Sequence, residues 1–294
     1  LMIKKGYNPE NQKKAWVFLA PTLVFIFIFS VYPLFRSFYM SFQKGFLLNQ
    51  HFAGFANYIQ IFQDPVFIHS IVNTALFAIT VVPISLMIAL FISWAIFEKV
   101  KFKALFETIF FMPYVTSIIA IGMVFRYFFN KSYGLVNFFL GLIGIPAVNW
   151  LDSVSMSMTT LIIFGIWNGL AFNIIILLSG FRNINREYYT IADMYGATNW
   201  EKFRRITLPQ LMPTISFLLT VNFIGAFKVY TEVFALFGGQ AGIANSAVTG
   251  VFYVYNKFYV QNQSGTAMAA SVVLFLIIII STLIQSKIVR RKRL

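Results

Sequence analysis

Residues 185–213 read NREYYTIADMYGATNWEKFRRITLPQLMP. The run divides at Gly196 into two short helical stretches. Ile191, Ala192, Met194 and Tyr195 supply apolar groups near the 3.6-residue period, while Glu187, Asp193 and Asn199 are polar. The second stretch begins at Asn199, read as its N-cap, and carries Trp200 and Phe203 among Glu201, Lys202 and Arg204; Pro209 ends or kinks it. A passive connection needs only a few residues, so a patterned segment of this length has a task of its own. The pattern alone leaves two readings open, a helix lying on lipid headgroups and a helix that docks into a partner protein.

On both sides of this segment lie stretches apolar enough to cross a bilayer, which takes about 20 residues per helix. They are 15–35, 71–97, 108–125, 153–181, 206–227 and 258–286, the fifth expected to run on to about Leu236. The sequence thus predicts an all-α polytopic membrane protein with six transmembrane helices. Composition agrees: of 294 residues, 59% are hydrophobic and 11% charged, against about 25% charged in soluble domains. The first stretch is longer than a signal-peptide core of roughly 7–15 residues and no small-residue cleavage site follows it, so it is expected to stay as a helix.

The net charge of +14 is sorted along the chain. Seventeen of the 23 Lys and Arg fall in the leading segment, after the second and fourth stretches, and at the end; the other six are Arg36, Lys44, Arg126, Lys131, Lys228 and Lys257. The positive-inside bias places both termini and the 182–205 loop in the cytoplasm. Basic residues lying between apolar runs do not form the solvated basic face that nucleic acid requires, and the Arg290–Arg293 cluster reads as an orientation anchor.

Several chemistries are excluded or weakened. With no cysteine there is no disulfide or thiolate site, and His51 and His69 are isolated, so no metal site is expected. The chain has no GxxxxGK[ST] loop, so any ATP and Mg must be held by another polypeptide. No convergent nucleophile, base or ligand set suggests an enzyme. A secondary transporter usually carries ion-coupling carboxylates at the midplane, and the sole candidate here, Glu232, lies near one end of its stretch.

Polar groups at membrane depth usually face a cavity or a partner helix. Asn222, Gly225, Lys228 and Glu232, spaced three, three and four apart, are expected to share one face of the fifth helix. That face either lines a path or holds an intrahelical Lys228–Glu232 pair with Lys228 reaching for water. Trp167, Asn168 and Gly169 in the fourth stretch, and Tyr114, Thr116 and Ser117 in the third, add aromatic, amide and hydroxyl groups suited to a polyol. Gly165 and Gly169 can equally serve close helix packing.

The central segment resembles the cytoplasmic signature of permeases from bacterial binding-protein-dependent ABC importers, Glu-Ala-Ala, three residues, Gly, nine residues, Ile-x-Leu-Pro. Thr190-Ile191-Ala192, Gly196 and Ile206-Thr207-Leu208-Pro209 keep that spacing, with departures at Thr190 and Ile191. The chain is also similar to the carbohydrate branch of maltose, lactose and glycerol-phosphate type at Phe52–Tyr58, Asp64-Pro65, Asn73-Thr74, Pro113-Tyr114, Gly134, Asn137, Trp150-Leu151, Phe227–Tyr230, Gly238-Gly239 and Gly265–Ala270. The resemblance implies the type I ABC importer permease fold, with a tail, first helix and outer loop over 1–70, a five-helix core over 71–286 and a basic tail over 287–294. It implies a coupling helix that sits on a cytoplasmic ATPase dimer, with Glu187, Thr190, Ile191, Ala192, Asp193, Tyr195, Gly196, Phe203, Ile206, Leu208 and Pro209 as the coupling residues. It further implies a homologous second permease subunit, an extracytoplasmic solute-binding protein, a sugar substrate contacted near Gly225 and Lys228, and a place in the bacterial plasma membrane.

Overall fold

The computed structural model describes residues 9–45, 50–99 and 103–291. Lys4, Lys5, Lys101 and residues 292–294, which belong to the predicted charge layout, lie outside them. The first span is α1 (Pro9–Ile26), a π turn (Phe27–Val31) and α2 (Tyr32–Met40) in unbroken succession. Among the described residues, its most apolar window buries nothing against the rest of the chain, while its α2 part packs on the last helix, where the rings of Phe38 and Phe275 stand 6.0 Å apart.

A two-residue hairpin pairs β1 (Gln43–Lys44) with β2 (His51–Phe52), followed by α3 (Ala56–Gln63) and the long α4 (Pro65–Lys99). Next come α5 (Lys103–Val115), α6 (Ile118–Phe128), α7 (Leu135–Leu142) and the second long helix α8 (Val154–Arg182). Then α9 (Glu187–Met194) and α10 (Asn199–Lys202) lead through a π turn (Phe203–Thr207) into α11 (Leu208–Phe227). The chain closes with α12 (Thr231–Leu236), α13 (Gly250–Tyr255) and α14 (Ser264–Arg291).

Three predicted spans are corrected. The third is not one rod: α5 and α6 meet at 95°, because Thr116 turns its hydroxyl back onto the Met112 carbonyl (2.8 Å) and Ser117 is extended (ψ 125°), which stops the helical ladder. The fifth ends at Phe227 instead of continuing to Leu236; Val229 and Tyr230 break it before α12 starts. The last begins at Ser264 and not at Phe258, since Asn262 takes φ +55° and α13 with its π turn forms a separate outer piece. Among the described residues, five helices are long and apolar enough to cross a membrane, or six if the bent α5–α6 pair is one span.

The core is built where α4, α8 and α11 pack together. One apolar cluster joins Phe77, Val81 and Phe164 to Val233, Phe252 and Ala269; a second joins Leu86, Ile96, Ile174, Phe181, Leu211 and Leu218 beside the α9–α10 segment. Many residues that carry the family resemblance turn out to be fasteners between these elements. Buried Asn57 donates to the carbonyls of Ser41 and Gln43, both at 2.8 Å. Asn73 donates to the Ser246 and Val248 carbonyls at 3.0 Å, and the Thr74 hydroxyl accepts from the Gly250 N–H at 2.9 Å. Asn137 ties three strands of loop through Lys131, Val148 and Trp150. Gly265 packs where any Cβ would strike the Gln43 carbonyl.

Candidate functional site: a membrane cavity and an exposed helical elbow

A cavity of about 450 Å³ opens between α4, the α5–α6 bend, α8, α11 and α12. Of the predicted path residues it gathers Tyr114, Asn168, Gly169, Asn222, Gly225 and Glu232. A side chain at Gly225 would point into open space, so its bareness widens the cavity. Gly165 instead lets the Phe77 ring close in at 2.5 Å from where a Cβ would stand, the packing role expected for such a step.

Three predicted path residues do not line this cavity. Trp167 is half-buried and packs against the apolar core, with its ring 4.8 Å from Phe125. Ser117 sits at the break, in the N-cap position of α6, with an exposed side chain that makes no capping hydrogen bond. Lys228 is exposed and off the cavity, because α11 stops at Phe227 and the chain turns there. The predicted shared face therefore comes from two helices, Asn222 and Gly225 on α11 and Glu232 on α12, and no Lys228–Glu232 ion pair forms.

The structure adds residues the sequence reading missed. Asn222 donates to the side chain of Asn173 at 2.6 Å, and Asn173, fully buried, reaches Ser85 at 3.4 Å. This amide chain crosses from α11 through α8 to α4. Phe172 stacks on Tyr114 with ring centres 5.6 Å apart, and Thr231 joins Glu232 on the wall. The available signal was an isolated polar residue in an apolar run, such as Asn173 or Ser85. A second cleft, of about 530 Å³, lies across α12 among Arg126, Tyr127, Asn130, Tyr133, Asp152 and Gln240. It is walled largely by α6 and loop residues, whereas the first is walled mainly by the long helices α4, α8 and α11.

At the other end of the molecule α9 and α10 form an elbow. Gly196 holds φ +70° and closes the end of α9, donating to the Asp193 carbonyl while Ala197 donates to Ala192, both at 3.0 Å. A Cβ there would meet nothing within 4 Å, so the glycine serves the left-handed turn and not close packing. Thr198, not Asn199, is the N-cap: its hydroxyl accepts from the Glu201 N–H while the Glu201 carboxylate accepts from the Thr198 N–H, a full capping box. Lys202 then bridges back to Asp193 at 2.8 Å.

The predicted coupling residues separate into two groups. Glu187, Thr190, Ile191, Asp193, Tyr195 and Gly196 are exposed, and with Tyr188 and Met194 they leave an apolar surface uncovered; Met194 is 83% and Tyr195 87% exposed. Ala192, Ile206 and Leu208 are half-buried and Pro209 sits at the start of α11. Phe203 is corrected: at 4% exposure it is unavailable to a partner and instead anchors the elbow, stacked against Trp94 (4.7 Å) and Trp200 (5.5 Å). Tyr189 pins the other side by a 2.8 Å hydrogen bond to Thr207. The elbow is thus rigid and fastened to α4 and α11 while its apolar face stays bare.

Residues 81–294 match the family described as the binding-protein-dependent transport system inner membrane component. The chain belongs to that family. It is 31% identical to the lactose transport system permease LacF of Rhizobium radiobacter, over 99% of this chain and 97% of that one. It is likewise 31% identical to the arabinooligosaccharides transport system permease AraP of Bacillus subtilis, over 94% and 89%. Two solved structures superpose along its length. One is a bacterial ABC transporter involved in import of the acidic polysaccharide alginate, at 26% identity and TM-score 0.82 over 96% and 98% of the two chains. The other is an alginate ABC transporter in complex with an alginate pentasaccharide-bound periplasmic protein, at 25% identity and TM-score 0.80 over 96% of each. As a binding-protein-dependent permease, the chain is a multi-span subunit of an ABC importer, a transport component in an all-α fold. Among the described residues no group of acidic or histidine side chains could hold a metal ion.

Proposed function

We propose that this permease supplies half of the translocation path for a sugar or oligosaccharide and is driven by a cytoplasmic ATPase dimer on which its elbow docks. The observation that carries the reading is the rigid elbow with its bare face of Tyr188, Ile191, Met194 and Tyr195. Such a surface, fixed at both ends to spanning helices, suits a protein groove, and the motif spacing around Gly196 supports that assignment over a lipid-facing helix. The exposed first span and the cavity open to one side support a homologous second permease that completes the path. An extracytoplasmic solute-binding protein would deliver the substrate, with ATP and Mg held on the ATPase. The charge layout supports both termini and the elbow facing the cytoplasm of a bacterial plasma membrane.

The cavity chemistry supports a saccharide. Tyr114 and Phe172 offer faces for sugar CH groups, and Asn168, Asn222, Thr231 and Glu232 offer hydrogen bonds to hydroxyls. The sugar transport named for two relatives at 31% identity points the same way. The test is uptake into vesicles carrying the assembled importer. ATP-dependent uptake of a saccharide, abolished when the ATPase is left out, is expected; uptake that persists without the ATPase would overturn the reading.

A further inference from the structure

Among the described residues, the membrane cavity is lined by a single acidic side chain, Glu232, and by no Lys, Arg or His. The cations that sequence spacing brings near it are directed elsewhere. Lys228 is exposed beyond the end of α11, and Arg126 belongs to the separate outer cleft across α12. The remaining polar wall is neutral: Ser85, Thr116, Asn168, Asn222 and Thr231. An anionic solute entering here would leave water without meeting a compensating charge from this subunit, and would meet its carboxyl group instead. Burying an uncompensated charge is costly, and an anion held beside a carboxyl group also opposes ionisation of that group. A neutral polyol meets acceptors, donors and two aromatic faces.

We infer that this cavity selects uncharged saccharides against acidic ones, with Glu232 as the specificity-determining residue. The inference rests on the saccharide reading above and narrows it. It separates this chain in substrate class from the alginate importer whose fold it shares, since alginate is an acidic polysaccharide. It also excludes a sugar or glycerol phosphate as the preferred cargo.

The absence of cysteine allows a direct test on the assembled importer in lipid, with no solute-binding protein present. Thr231→Cys places one thiol on this chain beside Glu232, and the rate at which a maleimide labels it, read by mass on this chain, reports occupancy of the cavity. Neutral di- and trisaccharides (maltose, lactose, maltotriose) should slow labelling about tenfold, and a galacturonate trisaccharide by less than about twofold. In Glu232→Lys the order should invert. In Glu232→Gln, which removes the acidic group and keeps an acceptor, neutral protection should fall about threefold and uronate protection rise, a crossover that misfolding cannot produce. Equal protection by both classes overturns the inference and leaves the saccharide reading standing. Protection by neither removes both, and a galacturonate effect unchanged in both Glu232 variants removes Glu232 as the determinant.

Discussion

Asp64 and Lys257, far apart in sequence, meet at 3.1 Å, where Tyr253 also donates to Asp64 at 2.8 Å. The contact joins the residue before α4 to the π turn after α13, and so fastens α13, whose Phe252 and Tyr253 belong to the first apolar cluster, to the start of α4. Burial pushes the Asp64 carboxyl upward, but the hydrogen bonds from Tyr253, Lys257 and the Val66 N–H, with the Lys257 charge, outweigh it and hold the group below its ordinary value. The Tyr253 phenol is raised by burial and by the carboxylate it faces.

A carboxylate with a lowered folded pKa stabilises the fold above its unfolded value of about 3.9, and the contribution disappears as pH falls through the folded value. Thermal unfolding in detergent should therefore show a loss of stability below about pH 4 that is missing in Asp64→Asn. At neutral pH that variant should already be weaker by about 1–3 kcal/mol, because it leaves Lys257 buried without its partner.

Gly196 should tolerate size better than branching. Its Cβ direction is open and its φ is +70°, so the cost of substitution is conformational. Forcing an L residue into that region costs about 1–2 kcal/mol, and Asn accepts it more readily than most. Gly196→Val should sharply reduce uptake per ATP hydrolysed with expression unchanged, and Gly196→Asn should retain a larger share. Equal behaviour of the two variants in an uptake and hydrolysis assay would remove the turn as the reason for the glycine.

Phe203→Ala removes the ring between Trp94 and Trp200. Truncating a buried Phe costs about 3–5 kcal/mol in packing. The elbow should loosen from α4, seen as faster proteolysis within residues 187–207 and a red-shifted tryptophan emission, together with a fall in uptake. Phe203→Leu should lie between the two.

Asn173→Leu breaks the amide chain from Asn222 to Ser85. Hydrogen bonds between membrane helices are worth about 0.6 kcal/mol on average and up to about 1.7, so a modest drop in unfolding temperature is expected. Uptake should fall further than stability, because Asn222 then loses the partner that aims it along the cavity wall.

How far the sequence can be read depends on whether a property is local. The periodic run around Gly196 and the T-x-x-E cap at Thr198 are local, although the cap was first assigned one residue late, at Asn199. Lengths of apolar sequence gave the helices, because hydrocarbon forces each span to satisfy its own backbone. Helix ends were less legible: Ser117 and Asn262 break the chain through backbone dihedrals that composition does not signal. The site was half legible, since Asn222, Gly225 and Asn168 stand out as polar or small in apolar runs.

Sequence alone therefore determined the membrane class, where the apolar stretches lie, the charge asymmetry and the spacing around Gly196. Each of these is set by how residues a few positions apart meet lipid, water or their own backbone. Only the tertiary structure decided that Lys228 leaves the cavity while Glu232 enters it, and that Phe203 is an anchor rather than a contact. It also decided that Asn57, Asn73 and Asn137 are fasteners. These depend on where helices stop and which distant residues then face one another, and a side chain's neighbours across the bundle are fixed by packing and not by its place in the sequence.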